Sequence, residues 1–467
     1  MFDSEYLNSI IKAYDVRGLV KSQITPDFAF VLGGAYARFL QEEREPSTII
    51  IGEDMRPSSP TLADAFSDGA TSQGMDVIRI GLASTDMLYF AAGKLNMPGA
   101  MFTASHNPAA YNGVKLCKSG AVPIGQDSGL HRIKQFILEG LPITNRPVGA
   151  ESKQDLLSEY VDFLINLFPE IDGTNSTQRK LKVVIDAGNG MAGHTAPAVM
   201  ARLNVEVIPM FFELDGNFPN HEANPIDPKN LKDLQKRVLK EKADIGLAFD
   251  GDADRCFLID EKGSLVNPSA LTALIAVREL KRKPGSTIIY NLISSKAVPE
   301  IITENGGTPL RSRVGHSFIK KMMADSGAIF GGEHSGHFYF ADFWRADSGM
   351  LAALFALTEL AAGKSSLSNL LKPFNRYVAS GEINSEVKDV PAAIQAILSE
   401  YEGFEVDDLD GITVTGPKYW FNVRASNTEP LLRLNVEGDT EAQMIKARDA
   451  LLAIIRASDN LSSYILN

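Results

Sequence analysis

The sequence predicts an α/β protein of three successive α/β units and a smaller α+β unit, divided as residues 1–150, 151–260, 261–372 and 373–467. Three observations carry this. Apolar, β-branched runs alternate with helical stretches as far as residue 372, and such alternation implies parallel βαβ units. From about Pro373 the pattern shifts toward strands. A length of 467 residues suggests roughly three or four domains, and 44% hydrophobic residues is an ordinary globular content.

Tyr14 to Gly18 closes a short N-terminal segment, and Pro26, which suits a first helical turn, opens a helix to about Glu43. Thr48 to Gly52 reads as a strand and Ser59 to Gln73 as a helix. Met75 to Ile80 and Gly99 to Thr103 are further strands, with an apolar helix near Asp86 to Leu95 between them. A helix over 128–139 precedes the polar stretch Gly140 to Ser152, which marks the first boundary. In the second unit Leu181 to Asp186, Val205 to Phe212 and Asp244 to Phe249 are strands, and Met191 to Leu203 and Leu231 to Lys242 are helices. The loop Asp215 to Lys229 reads as long and exposed. The third unit has helices at 269–282 and 295–304, strands at 286–290 and 328–332, and a closing helix from Ser348 to Ala361. The fourth has strands at 379–387, 411–415, 418–423 and 430–436, with helices at 391–400 and 440–456.

Lys+Arg 46 against Asp+Glu 58 gives a net charge of −12, so no global basic field exists to hold nucleic acid or an anionic membrane. Cys117 and Cys256 lie far apart in strand-like patterns, which suggests reduced core thiols in a cytoplasmic protein. Charged residues interrupt Met1 to Val20, so it lacks a signal-peptide core, and no run is long enough for a transmembrane helix.

Each unit contributes one polar loop. In Thr103–Gly113, Ser105 follows the strand-like run Gly99 to Phe102, and Asn107-Pro108 and Asn112-Gly113 are turn dipeptides, so Ser105 is expected on a tight loop. In Phe249–Arg255, the carboxylates of Asp250, Asp252 and Asp254 stand at alternate positions on a turn, where they can converge on one hard cation such as Mg²⁺. Arg255 stands where a calcium loop of the EF-hand type has glycine, and the flanks read as strands. Gly331–His337 sets hydrogen-bonding groups between glycines, which suits a polyhydroxylated ligand. Arg424–Pro430 offers an arginine fork, hydroxyls and an amide, the inventory a phosphate needs. Taken singly, each loop also fits a polar turn. Together they supply the parts of phosphoryl transfer at an interface between domains.

With TASHNP, DGDADR, GEHSGH and RASNTEP in this order, the chain resembles the α-D-phosphohexomutase family over essentially its full length. KAYDVRG, with Tyr14 and Arg17, Lys296 in SSKAVP and His316 in VGHSFIKK are similar too. The resemblance implies four domains around a central cleft. The first three are related α/β folds with mixed sheets between helices, and the fourth is a small α+β domain. It implies interconversion of hexose 1-phosphate and hexose 6-phosphate through phosphorylated Ser105 and a hexose 1,6-bisphosphate, which serves as intermediate and activator. Ser105, Asp250, Asp252 and Asp254 would hold Mg²⁺. Arg424, Ser426, Asn427 and Thr428 would grip the phosphate that is not reacting, and Glu333 and Ser335 would bind the ring 3- and 4-hydroxyls. Lys115, Arg255, Arg17 and His106 would stabilise charge at the reacting end, and Tyr14 would line the cleft. His337, His316 and Lys296 would serve proton transfer or substrate contact, in no fixed ranking.

GEHSGH running into FYFADFWRADSG resembles the phosphomannomutase branch, whereas phosphoglucosamine mutases usually show Gln where His334 stands. Mannose phosphates are therefore expected to be preferred, with glucose phosphates also accepted. The alternatives are a main activity on glucose or glucosamine phosphates, a sugar phosphatase, or a non-catalytic sugar-phosphate binder. The expected partners are small-molecule hexose phosphates only, with the chain a monomer or homodimer.

Overall fold

A computed structural model describes residues 2–173, 178–425 and 431–461, without the side chains of 316, 317 and 458–461. The main path of the first sheet runs Val16–Leu19, Tyr111–Lys118, Gly99–Phe102, Thr48–Glu53, Asp76–Leu82, Glu151–Lys153. The last four of these are parallel, while Tyr111–Lys118 is antiparallel to both its neighbours. Asn112-Gly113, expected as a turn, lies inside this strand. Glycine is needed there because Val16–Leu19 approaches closely, and a Cβ on Gly113 would fall 2.1 Å from the Val16 carbonyl oxygen. The polar stretch 140–152 returns at its end to add the edge strand Glu151–Lys153.

The second sheet runs Cys256–Asp260, Ile245–Phe249, Leu181–Asp186, Val205–Met210, and the third Thr308–Ser312, Thr287–Asn291, Phe330–Gly332, Phe338–Phe340, Ala346–Asp347. Both share the plan of the first sheet. Parallel strands lead to one whose chain turns back as an antiparallel neighbour, Ile245–Phe249 into Cys256–Asp260 and Phe330–Gly332 into Phe338–Phe340. These antiparallel returns make the sheets mixed, as expected, and their strands directly follow the polar loops. All three loops therefore occupy one topological position, the carboxyl end of a parallel strand, where α/β sheets present ligand sites.

A continuous core joins these three units, drawing Phe90, Leu164, Phe249, Leu274, Phe330 and Phe355 into one cluster. The helix Gly349–Ala362 is buried on almost every side, which is why it is apolar all round. The fourth sheet is antiparallel, in the order Val378–Glu386, Leu431–Gly438, Tyr419–Ala425, Ile412–Thr415, Glu405–Asp407. Phe421, Val423, Leu432 and Leu434 pack on Leu451 and Ile455 of the helix Glu441–Leu461 in a separate core. By strand alternation the other face carries Trp420, Asn422, Arg424 and Glu437, and Glu437 accepts from the Lys296 N–H of the third unit at 3.0 Å. Among the described residues no single helix is long and apolar enough to cross a membrane.

Candidate active site

Ser105 follows Gly99–Phe102 in a left-handed backbone conformation, φ 49°, a geometry that costs a non-glycine residue about 1–3 kcal/mol and persists only when its surroundings hold it. The holder is Arg56. This side chain is 1% exposed and donates through Nη2 to the carbonyls of Ser105 (2.9 Å) and Asn107 (2.7 Å). Through Nη1 it donates to those of Pro108 and Tyr111, both at 3.0 Å, and through Nε to Asp54 Oδ2 at 3.2 Å. The Phe218 ring lies 5.1 Å from the Arg56 guanidinium. The loop 215–229, expected to be exposed, thus presses part of itself on the serine loop's support.

The acidic turn meets this loop directly. A Cβ on Gly251 would fall 2.4 Å from the Ser105 carbonyl oxygen, so only glycine permits the approach. Ser105 Oγ donates to Asp250 Oδ2 at 2.9 Å, and Arg255 Nη2 reaches Ser105 Oγ at 3.4 Å and His106 Nδ1 at 2.5 Å. Carboxylate oxygens of Asp250, Asp252 and Asp254 lie within 4.8 Å of one another, all buried. Lys115 Nζ donates to Asp252 Oδ2 at 2.7 Å and Asp254 Oδ2 at 2.6 Å, and Thr85 Oγ1 donates to Asp252 Oδ2 at 2.6 Å.

Charge crowding shapes these groups. Burial, reinforced by Asp254 and Asp252 and opposed by Arg255, pushes Asp250 up to about 7. Burial also acts to raise Asp254, but Lys115, His337 and Arg255 outweigh it and hold this carboxyl well below its ordinary value. Lys115 is raised well above its ordinary value, because Asp252 and Asp254 outweigh its burial. Burial, then Arg255 and Arg17, hold His106 well below its ordinary value. His106 Nδ1 thus lies between Arg255 Nη2, at 2.5 Å, and Ser105 Oγ, at 3.3 Å. Three carboxylates face the cations of Lys115 and Arg255, and Asp252 Oδ1 is buried without a hydrogen-bond partner among the described residues. This donor set fits a divalent cation.

The third loop joins the second through a backbone bridge between Arg255 and His337. His337 Nε2 is 3.5 Å from Asp254 Oδ1, and Ser335 Oγ lies 2.9 Å from His337 Nδ1. Glu333 is held by the Tyr339 hydroxyl, which donates to Oε2 at 2.6 Å, and by the Gly315 N–H, which donates to Oε1 at 3.2 Å. Tyr14 stands beside this pair. Burial, then Glu333 and Asp410, raise its phenol, and its ring meets Phe318 edge-on. Arg17 donates to Asn107 Oδ1 on the serine loop.

Arg424 and Lys296 make their contacts apart from this cluster. Arg424 Nη2 donates to Glu382 Oε2 at 2.5 Å, and both residues act electrostatically on His334 of the third loop. Lys296 Nζ is 3.6 Å from Asp439 and 4.3 Å from the Tyr377 ring centroid, at the junction of the third and fourth units. Ser426, Asn427 and Thr428 lie outside the described residues. His316 begins the helix His316–Ser326, and its side chain is outside the description. Sequence reasoning missed Arg56, Asp54, Tyr339 and Glu382. The only local signal was Asp54 two residues before Arg56 at the end of a strand.

A serine strained against a buried acidic turn, with a sugar-suited loop and an arginine beyond it, is the equipment of a sugar-phosphate phosphotransferase. Family models agree along the chain: phosphoglucomutase/phosphomannomutase alpha/beta/alpha domain I matches residues 8–141, domain II 158–263, domain III 267–377 and the C-terminal domain 382–454. A phosphomannomutase of Escherichia coli is 38% identical over 457 residues, covering 95% of this chain and 98% of its own. A phosphomannomutase/phosphoglucomutase of Pseudomonas putida is 37% identical over 448 residues, covering 95% and 94%. A crystal structure of a phosphoglucomutase/phosphomannomutase family protein from Burkholderia thailandensis superposes with a TM-score of 0.87 at 30% identity, covering 98% of each chain. The chain belongs to the phosphoglucomutase/phosphomannomutase family and is a phosphohexomutase.

Proposed function

We propose that the chain interconverts hexose 1-phosphates and hexose 6-phosphates with Ser105 as phosphoryl carrier, preferring mannose phosphates and also accepting glucose phosphates. The carrying observation is the placement of Ser105 Oγ, 2.9 Å from Asp250 Oδ2, inside a buried turn flanked by Lys115 and Arg255. The names of the relatives, phosphomannomutase and phosphomannomutase/phosphoglucomutase, support the choice of sugars.

Asp250, Asp252, Asp254 and the phosphate on Ser105 would hold Mg²⁺, which neutralises phosphoryl oxygens when bound. Phospho-Ser105 passes its phosphoryl group to the free hydroxyl of a bound hexose monophosphate. The Oγ–P bond breaks, a P–O bond to the sugar forms, and the hydroxyl proton goes to a base. Among the candidates whose side chains are described, His337 lies against the acidic turn, 3.5 Å from Asp254 Oδ1, which supports it for that role. Lys115 and Arg255 stay beside the transferring group and offset its charge. Glu333, pre-set by Tyr339 and Gly315, takes sugar hydroxyls together with Ser335. Arg424, with Ser426, Asn427 and Thr428, holds the other phosphate. The 1,6-bisphosphate then returns its second phosphoryl to Ser105. Ser105 is 5% exposed, which supports transfer to a bound sugar over loss to water.

Ser105→Ala is expected to abolish interconversion of mannose 1-phosphate and mannose 6-phosphate while calorimetry still detects binding. Undiminished activity in that variant would refute the carrier role.

A further inference from the structure

Pairing in the fourth sheet sets Arg424 directly opposite Arg433, and like charges so placed repel. Arg433 in turn faces Asn384 of the outer strand, with Glu382 two residues along, opposite Asn435. Opposed and alternate positions share a face of a sheet, so the two arginines and Glu382 lie together. Glu382 spans them. Its Oε2 accepts from Arg424 Nη2 at 2.5 Å, and its Oε1 lies 3.5 Å from Arg433 Nη1. The pairing shifts register between Ala379 and Glu382, where Gly381 has φ 72°. Irregularities of this kind re-aim a side chain at a chosen place.

The arrangement is incomplete as it stands. Arg424 is 7% exposed, yet its Nε is buried without a hydrogen-bond partner among the described residues. A buried guanidinium donor without an acceptor calls for one, which the oxygens of an anion supply.

We propose that Glu382 is the positioning residue of the phosphate-binding arginine. By taking Nη2 of Arg424 and standing between it and Arg433, Glu382 fixes the guanidinium so that its remaining N–H donors meet oxygens of the substrate phosphate that is not being transferred. This rests on the reading of Arg424 as a phosphate contact given above. Because that phosphate is gripped alike in ground and transition states, loss of the positioning acts on KM and not on kcat.

Steady-state kinetics on mannose 1-phosphate with Glu382→Ala, Glu382→Gln and Arg424→Ala test this. Glu382→Ala is expected to raise KM about tenfold with kcat within about twofold, the worth of one charge-assisted contact. Glu382→Gln keeps a carbonyl to accept from Nη2 and is expected to raise KM only about threefold, a graded effect that survives even if the alanine variant folds poorly. Calorimetry with inorganic phosphate should show parallel losses of affinity. An unchanged KM in both Glu382 variants overturns the proposal, as does a kcat loss at fixed KM. A lowered KM also overturns it and makes Glu382 a competitor of phosphate. Arg424→Ala separates the two levels. If it leaves KM unchanged, the phosphate reading itself fails, whereas a raised KM there with silent Glu382 variants sinks only the role of Glu382.

Discussion

Replacing Arg56 by lysine keeps the charge but removes the fork that holds the serine loop. Arg56 serves five acceptors, the carbonyls of Ser105, Asn107, Pro108 and Tyr111 and the carboxylate of Asp54. A lysine ammonium at the end of a flexible stem can reach one or two of them. At least three charge-assisted bonds are lost, and each acceptor left dry costs about 1–3 kcal/mol. Water entering from the loop side offsets part of this, leaving about 3–5 kcal/mol, the range for breaking a buried charge pair. The melting temperature should fall by roughly 3–5 °C. With its carbonyl released, Ser105 relaxes from its left-handed backbone, and a displacement of about 1 Å at a reacting atom costs about 10²-fold in rate. We expect kcat for mannose 1-phosphate to fall about 100-fold with KM within about threefold. Transfer of labelled phosphoryl from hexose 1,6-bisphosphate onto Ser105 should slow in parallel. Both assays belong well below the variant's own melting point, so that unfolding does not enter. An Arg56→Lys enzyme with native melting, kcat and labelling would show that the five contacts do not hold the serine.

Three other outcomes are expected. Asp86 accepts from Tyr160 at 2.8 Å and Ser348 at 2.6 Å, and burial raises its carboxyl from 3.8 to about 6. The folded state therefore binds that proton more tightly than the unfolded state. The associated stability is complete below pH 3.8 and is lost as pH rises through about 6. Asp86→Asn should improve stability at pH 8 relative to pH 4 by about 3 kcal/mol compared with the native chain, measured by urea unfolding, and an unchanged pH slope would contradict this. Asp252→Asn, or a strong chelator on the native enzyme, should cost about 10²-fold or more in turnover, and full activity under chelation would rule out a divalent cation. His337→Asn should lower kcat by about 10²–10⁴-fold and flatten the limb of the pH–rate profile set by the base. A native profile in that variant would move the proton-transfer role elsewhere.

The sequence by itself determined the family and picked out the candidate site residues. Ser105, the three alternate aspartates, Glu333 with Ser335 and His337, and Arg424 each sit in short runs whose residue types carry meaning without a fold. The alternation of strands and helices was equally local, and Gly99–Phe102 and Leu181–Asp186 form where that pattern placed them. Only the tertiary structure decided how these pieces meet. Asn112-Gly113 reads as a turn dipeptide until the Val16–Leu19 strand pairs across Gly113. Arg56 looks like any surface arginine until folding points four loop carbonyls at it. Tyr339 matters through one oxygen of Glu333, and Glu382 through a register shift that brings it against Arg424. Such residues act on backbone atoms or on other side chains, and those positions exist only once distant segments have packed. His106 makes the same point. Its place beside Ser105 was legible, but burial with Arg255 and Arg17 around it, contributed from elsewhere in the chain, is what lowers the ring's pKa.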